Sequence, residues 1–133
     1  MAARIEGRAR ELIEEPNFCL VATLGADGAP HVAPVWLHHD GDTIVLNSAK
    51  GRAWPANLER DPRVTLTIPN RDNQYEYVAI RGHVDAFVEE GADAHIDQLA
   101  KKYLGQDTYP FRKDGEERII VRIVPDRVSH HGG

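Results

Sequence analysis

One stretch of strand-forming residues, Tyr75 to Val88, is unusually long for a small sheet and carries Gly82 at its middle. Glycine inside a strand marks a bulge or a sharp bend, since it has no side chain to pack there. A long strand bent at its centre makes a sheet curl. A curled antiparallel sheet of about six strands closes into a small barrel.

The rest of the chain supplies the other staves. Ile5, Ala9, Leu12 and Ile13 recur at helical spacing within the charged stretch Met1 to Glu15, and Pro16 stops that helix. Phe18 to Leu24 reads as a strand closed by the turn Gly25-Ala26-Asp27-Gly28. The second strand runs from Pro30 to His38, and the turn His39-Asp40-Gly41-Asp42 leads into a third, Thr43 to Asn47. Ser48 to Arg60 reads as a loop and a short helix capped by Ser48, ended by Asp61-Pro62. Arg63 to Ile68 is the fourth strand and the long one the fifth. Ala92 to Leu104 is amphipathic, with Ile96, Leu99 and Tyr103 on one face and Gly105 as its C-cap. The last strand spans Arg118 to Val124 and resumes beyond Pro125. Consecutive hairpins without βαβ alternation predict a mainly β fold: a six-stranded antiparallel barrel with peripheral α-helices, one domain over residues 1–133.

Composition narrows the function. Net charge is −5 and the basic residues are scattered among acidic ones, so the basic stripe of a nucleic-acid binder is missing. Apolar runs are strand-length, which argues against a membrane partner, and the N-terminus has no signal-peptide core. The single cysteine, Cys19, excludes an internal disulfide and fits a reducing, cytoplasmic setting. It lies in an apolar run and reads as a core residue. Seven histidines invite a metal. Yet His38 and His39 point to opposite faces of a strand, and His130-His131 lie at the chain end, so no metal site is predicted.

Two segments carry the chemistry. Asn47, Ser48, Lys50 and Arg52 precede a helix N-terminus, where free N–H groups and the dipole favour an anion such as a phosphate. A solvated loop is the plainer alternative. In His31 to Leu37, Pro34 cannot donate to a ladder, so the stretch belongs at an edge where a flat ring could lie and use free backbone groups. Trp36 fits there, or in the core.

Taken together, Phe18 to Leu24, Asp27 to Val32, Pro34-Val35-Trp36, Asn57 to Val64, Ile80 to Val84, Lys101 to Gly105 and Tyr109 to Phe111 resemble the pyridoxamine 5′-phosphate oxidase-like, flavin-binding split-barrel superfamily. More narrowly, they resemble its coenzyme F420-dependent reductase branch. The resemblance covers nearly the whole chain. It implies a homodimer of split barrels with the cofactor at the interface. The cofactor ring would lie against Val32, Ala33, Pro34, Val35 and Trp36, and its phosphate would be held by Ser48, Lys50 and Arg52, with Asn47 and Asn57 nearby. Many relatives carry another basic residue after the arginine, where this chain has Trp54-Pro55, so Trp54 joins the expected cofactor contacts.

The activity so implied is reduction of a flat conjugated small molecule by hydride from reduced F420, the difficult chemistry belonging to the cofactor. No residue stands out in the sequence as an obligatory acid or base; His31, Tyr75 and Tyr77 are candidates for touching the acceptor. The alternatives are an FMN-binding oxidoreductase and a cofactor-binding protein without turnover.

Overall fold

The computed structural model describes residues 2–132; the ends of the predicted domain and the first residue of the predicted Met1–Glu15 segment lie outside them. The element order is α1 (Gly7–Glu14), β1 (Cys19–Leu24), β2 (Pro30–Val35), β3 (Leu37–Asp40), β4 (Thr43–Ala49), α2 (Ala53–Arg60), β5 (Arg63–Asn70), β6 (Asn73–Val88), α3 (Ala92–Leu104) and β7 (Arg118–His131). The strands form one antiparallel sheet in the order β2-β1-β5-β6-β7-β4-β3.

The two outermost strands, β2 and β3, follow each other in the chain with only Trp36 between them. A sheet whose opposite edges are joined by one residue has to wrap round until those edges meet. The result is a barrel closed by the chain itself and split between β2 and β3, with no ladder across the gap among the described residues. The strand count is therefore seven rather than six, because the stretch Pro30 to His38 expected as one strand breaks at Trp36.

The bend expected at Gly82 is present. The β6–β7 register shifts between Arg81 and Gly82, and again between Val84 and Ala86. A Cβ on Gly82 would stand 2.5 Å from the Val124 carbonyl oxygen, so only glycine permits the two strands to approach there. β7 runs unbroken through Pro125. Ser48, expected as a helix cap, lies inside β4 opposite Ile119; α2 begins later, after Arg52, without a side-chain cap bond. The preference of serine for caps loses here to the ladder with β7.

The interior is filled by Cys19, Val21, Leu37, Ile44, Leu46, Leu66, Ile68, Val78, Ile80, Val121 and Ile123 from the strands. α1 adds Ala9, Leu12 and Ile13, and α2 adds Trp54 and Leu58. Cys19 is fully buried, and burial pushes its thiol up. α1 packs against β3, β5, β6 and β7, and α2 against β1 and β2, while α3 covers the outer side of β4 and β7.

α3 also fastens the joint between the two edges. Leu37 N donates to Tyr103 Oη (3.1 Å), and that hydroxyl donates to Asn17 O (2.6 Å). Lys102 Nζ donates to Leu37 O and to Ile13 O, each at 2.7 Å. The Trp36 ring stacks on Tyr103 with centroids 5.2 Å apart. Replacing Tyr103 by Phe keeps the stack and leaves Leu37 N and Asn17 O without their partner. The expected cost is about 1–3 kcal/mol in unfolding free energy by denaturant titration. A change below about 0.5 kcal/mol would mean that the hydroxyl does not hold the joint.

Candidate functional site

The joint opens onto a cavity of about 250 Å³ lined by Phe18, Pro34, Val35, Trp36, Asn47, Arg52, Ile96, Leu99, Tyr109, Phe111 and Arg118. Its aromatic walls are mutually braced. Trp36 meets the edge of Tyr109 at 6.0 Å, Tyr109 meets Phe111 at 5.7 Å, and Phe18 stacks on Tyr103 at 6.1 Å. Tyr109 lies in the segment after α3, which is held back onto that helix. Its N–H donates to Asp97 Oδ1 (2.8 Å), and Arg112 reaches Asp97 (2.7 Å) and Asp93 (3.2 Å).

The polar end is built on the outer face of β4 and β7. Asn47 pairs with Ile120 and Ala49 with Arg118, so Asn47 and Arg118 are diagonal neighbours on one face. Arg118 Nε donates to Asn47 Oδ1 (2.9 Å), and its Nη1 to Glu116 Oε1 (2.9 Å). The guanidinium sits over the Tyr109 ring at 5.2 Å. Arg52 Nη2 lies 3.8 Å from Glu116 Oε2. Asn47 Nδ2 donates to Ala92 O (2.9 Å) and to His95 Nδ1 (3.0 Å), which fixes the proton of a neutral His95 on Nε2. That nitrogen stands 3.3 Å from His38 Nδ1.

Burial, with the charges of Lys102 and His39, holds His38 down at about 4; burial, with His38 and Arg118, does the same for His95. Both imidazoles are therefore neutral at pH 7. Burial lowers Lys102 to about 8 and pushes the Tyr103 phenol up.

Of the residues singled out in the sequence, Pro34, Val35, Trp36, Asn47 and Arg52 meet round this cavity. Val32 is exposed on the outer face of β2, and Ala33 packs against the core. Ser48 alternates with Asn47 on β4, shares the inward face of Leu46, and is fully buried with its Oγ unpartnered. Lys50 is ion-paired with Glu89 and with Glu117 (3.6 Å) at the far side of the loop. Trp54 is a core residue, and Asn57 donates to Thr23 Oγ1 (3.0 Å) and accepts from Arg60 (2.7 Å). His31 faces inward beside β1, opposite Thr23. Tyr75 is fully outside, and Tyr77 stacks on His131 at 4.8 Å.

Sequence reasoning missed Arg118, Tyr109 and Phe111 as lining residues. The signal available was an arginine opening an apolar strand and a Tyr-Pro-Phe cluster in an otherwise polar loop. No group of three or more His, Cys, Asp or Glu side chains that could hold a metal occurs among the described residues. No helix among them is long and apolar enough to cross a membrane.

The model of the pyridoxamine 5′-phosphate oxidase family matches residues 5–132. Among solved structures the fold is similar to an F420 reductase: TM-score 0.81, 25% identity, 93% of this chain and 98% of that one. It is also similar to a Mycobacterium tuberculosis conserved hypothetical protein: TM-score 0.70, 23% identity, 98% and 88% covered. A Listeria innocua protein described as a candidate pyridoxamine 5′-phosphate oxidase gives TM-score 0.70, 20% identity, 91% and 93% covered. No curated protein matches in sequence.

The paired histidines generate a pH prediction. Between about 6.5 and about 4 they are neutral in the fold and protonated in the unfolded chain, so the unfolded state binds more protons there. Unfolding free energy therefore falls as pH drops through that window. Asp61, held at about 2 by Arg63, contributes stability that is lost only at lower pH. His38→Gln flattens the slope between pH 6.5 and 4 in denaturant titrations; an unchanged slope would remove the pair from the account.

Proposed function

Since this chain belongs to the pyridoxamine 5′-phosphate oxidase family, we propose that it binds a flavin-type cofactor, coenzyme F420 before FMN, and reduces a flat conjugated small molecule with it. The observation that carries this reading is the cavity at the β2–β3 joint. It combines a flat apolar wall (Pro34, Val35, Trp36) with three polar donors at one end (Asn47, Arg52, Arg118). That donor set fits a planar ring with polar edges and an anionic tail. The preference for F420 over FMN rests on the F420 reductase among the similar structures.

When bound, the reduced cofactor supplies a hydride. The protein's residues bind and orient. Trp36, braced by Tyr103 and Tyr109, offers a rigid face for stacking. Arg118 and Arg52 receive negative charge, and the chain just before α2 leads from Arg52 toward Lys50, the side on which a phosphate tail would lie. Engaging Lys50 requires it to exchange Glu89 and Glu117 for the phosphate. Ser48, Trp54 and Asn57, all buried, support the wall behind this loop. Ile96, Leu99 and the Tyr109–Phe111 segment wall one side of the cavity. Any proton needed to complete the reduction comes from solvent, since both nearby histidines are held neutral.

A homodimer belongs to the same reading. Phe18 and Val32 are more than half exposed, and Pro34 links the cavity to an apolar groove with Leu20, Pro69 and Tyr77. A partner barrel against that face would complete the wall that a single chain leaves open. The reading places the protein in the cytoplasm, where reduced cofactor is available.

The test is a tryptophan-fluorescence titration with F420 and FMN in parallel, on the wild type and on Lys50→Ala/Arg52→Ala. Trp36 lines the cavity, so a bound ring quenches it. The expected result is saturable quenching by F420, weakened at least about a hundredfold in the double variant, since two charge-assisted contacts are lost. Stability should barely change, because both side chains are nearly half exposed and their ion pairs lie at the surface. Preference for FMN moves the protein to the flavin side of the family; no response to either cofactor defeats the reading. Tight binding without oxidation of any added acceptor would favour a carrier without turnover.

A further inference from the structure

We infer that the cavity at the joint is built for a planar conjugated anion whose single negative charge is received by Arg118. An arginine stays charged in any protein setting, and burying it is costly unless its edges are taken. Arg118 is 6% exposed. Two of its edges are occupied, Nε by Asn47 and Nη1 by Glu116. Among the described residues no acceptor takes Nη2, although the residue lines the cavity. One face of the guanidinium lies over the Tyr109 ring.

The local charge count points the same way. Arg118 and Arg52 bring two positive charges, and Glu116 answers with one carboxylate shared between them, 2.9 Å from Arg118 and 3.8 Å from Arg52. Farther out Lys50 is matched by Glu89 and Glu117, but among the described residues no carboxylate lines the cavity itself, so the positive charge there faces walls of Phe18, Trp36, Tyr109 and Phe111. A carboxylate or acidic enol on a fused ring neutralises it through a charge-assisted hydrogen bond while the ring packs against the aromatic walls. A neutral ring leaves it uncompensated. At about 250 Å³ the cavity falls below the roughly 300–1,000 Å³ of sites for drug-sized ligands. Two or three fused rings are its natural occupant.

That chemistry has two sources. One is the ring portion of the cofactor, the other a free conjugated acid serving as hydride acceptor. The choice between them rests on the reading of the preceding subsection; the anion site itself does not.

Isothermal titration with 2-naphthoate and with its methyl ester, as a probe pair differing in charge, tests the inference. The acid is expected to bind saturably and the ester at least about tenfold more weakly, from the value of a charge-assisted hydrogen bond. Arg118→Gln should weaken the acid about ten- to a hundredfold and leave the ester unchanged. Because that variant could also loosen the fold, Glu116→Gln provides a test in the opposite direction. It keeps an acceptor for Arg118 but removes the competing charge, so the acid should bind more tightly. Equal binding of acid and ester, or a Glu116→Gln variant that binds the acid no better, overturns the inference. Repeating the titration at saturating F420 separates the sources: lost binding assigns the anion site to the cofactor's ring, whereas retained binding assigns it to a free conjugated acid and moves the cofactor ring out of this cavity. A protein that takes up 2-naphthoate but neither F420 nor FMN keeps the anion site and defeats only the cofactor reading.

Discussion

The covalent passage from β2 through Trp36 to β3 is the constraint on which the rest of the structure depends. These two strands are the outermost members of the sheet, and a single residue between them leaves the sheet no freedom to stay open. The curl then has to be absorbed elsewhere, and β6 absorbs it at Gly82, where its register with β7 slips and a side chain would strike Val124. The backbone at Trp36 belongs to neither ladder. Its neighbour Leu37 instead directs its N–H and carbonyl to Tyr103 and Lys102 of α3. Backbone groups of an edge strand that its one ladder does not use need other partners, and a helix laid across the joint supplies them.

Function follows from the same place. Where the two edges separate, a gap opens beside the joint, and Trp36, stacked on Tyr103, becomes its wall. β4, which pairs with β3 at the joint, and β7 beyond it bring Asn47 and Arg118 to the opposite end. The polar network running from Glu116 through Arg118 and Asn47 to His95 and His38 fixes these donors in a partly buried setting. Preorganised donors in such a setting interact more strongly than the same groups in water.

Much of the fold was legible because its signals are local. The bend at Gly82, the turn at Gly25 to Gly28, the extent of α3 and its glycine cap all depend on residues close in sequence, and all stand where expected. The break at Trp36 was not legible, since Pro30 to His38 continues as strand-forming residues on both sides. Only the meeting of two sheet edges divides it. Ser48 misled for a related reason: in isolation Asn47-Ser48-Ala49 reads as a strand giving way to a cap, but pairing with distant Arg118 to Ile120 carries β4 through it. At the site, the residues within one segment were found, Pro34 to Trp36 and Asn47 with Arg52. Lys50 engages Glu89 and Glu117, and the wall formed by Tyr109, Phe111 and Arg118 is contributed from far along the chain. Local spacing carries no signal for such long-range partners.

The central claim is that the β2–β3 joint is where the cofactor ring rests. The most direct measurement is a crystal structure of the protein grown with coenzyme F420. The account predicts a ring stacked against Pro34 to Trp36, with a polar edge within hydrogen-bond distance of Arg118 or Asn47, and a tail passing Arg52. A well-ordered F420 bound at another face of the barrel, with the Trp36 cavity unchanged, would contradict it.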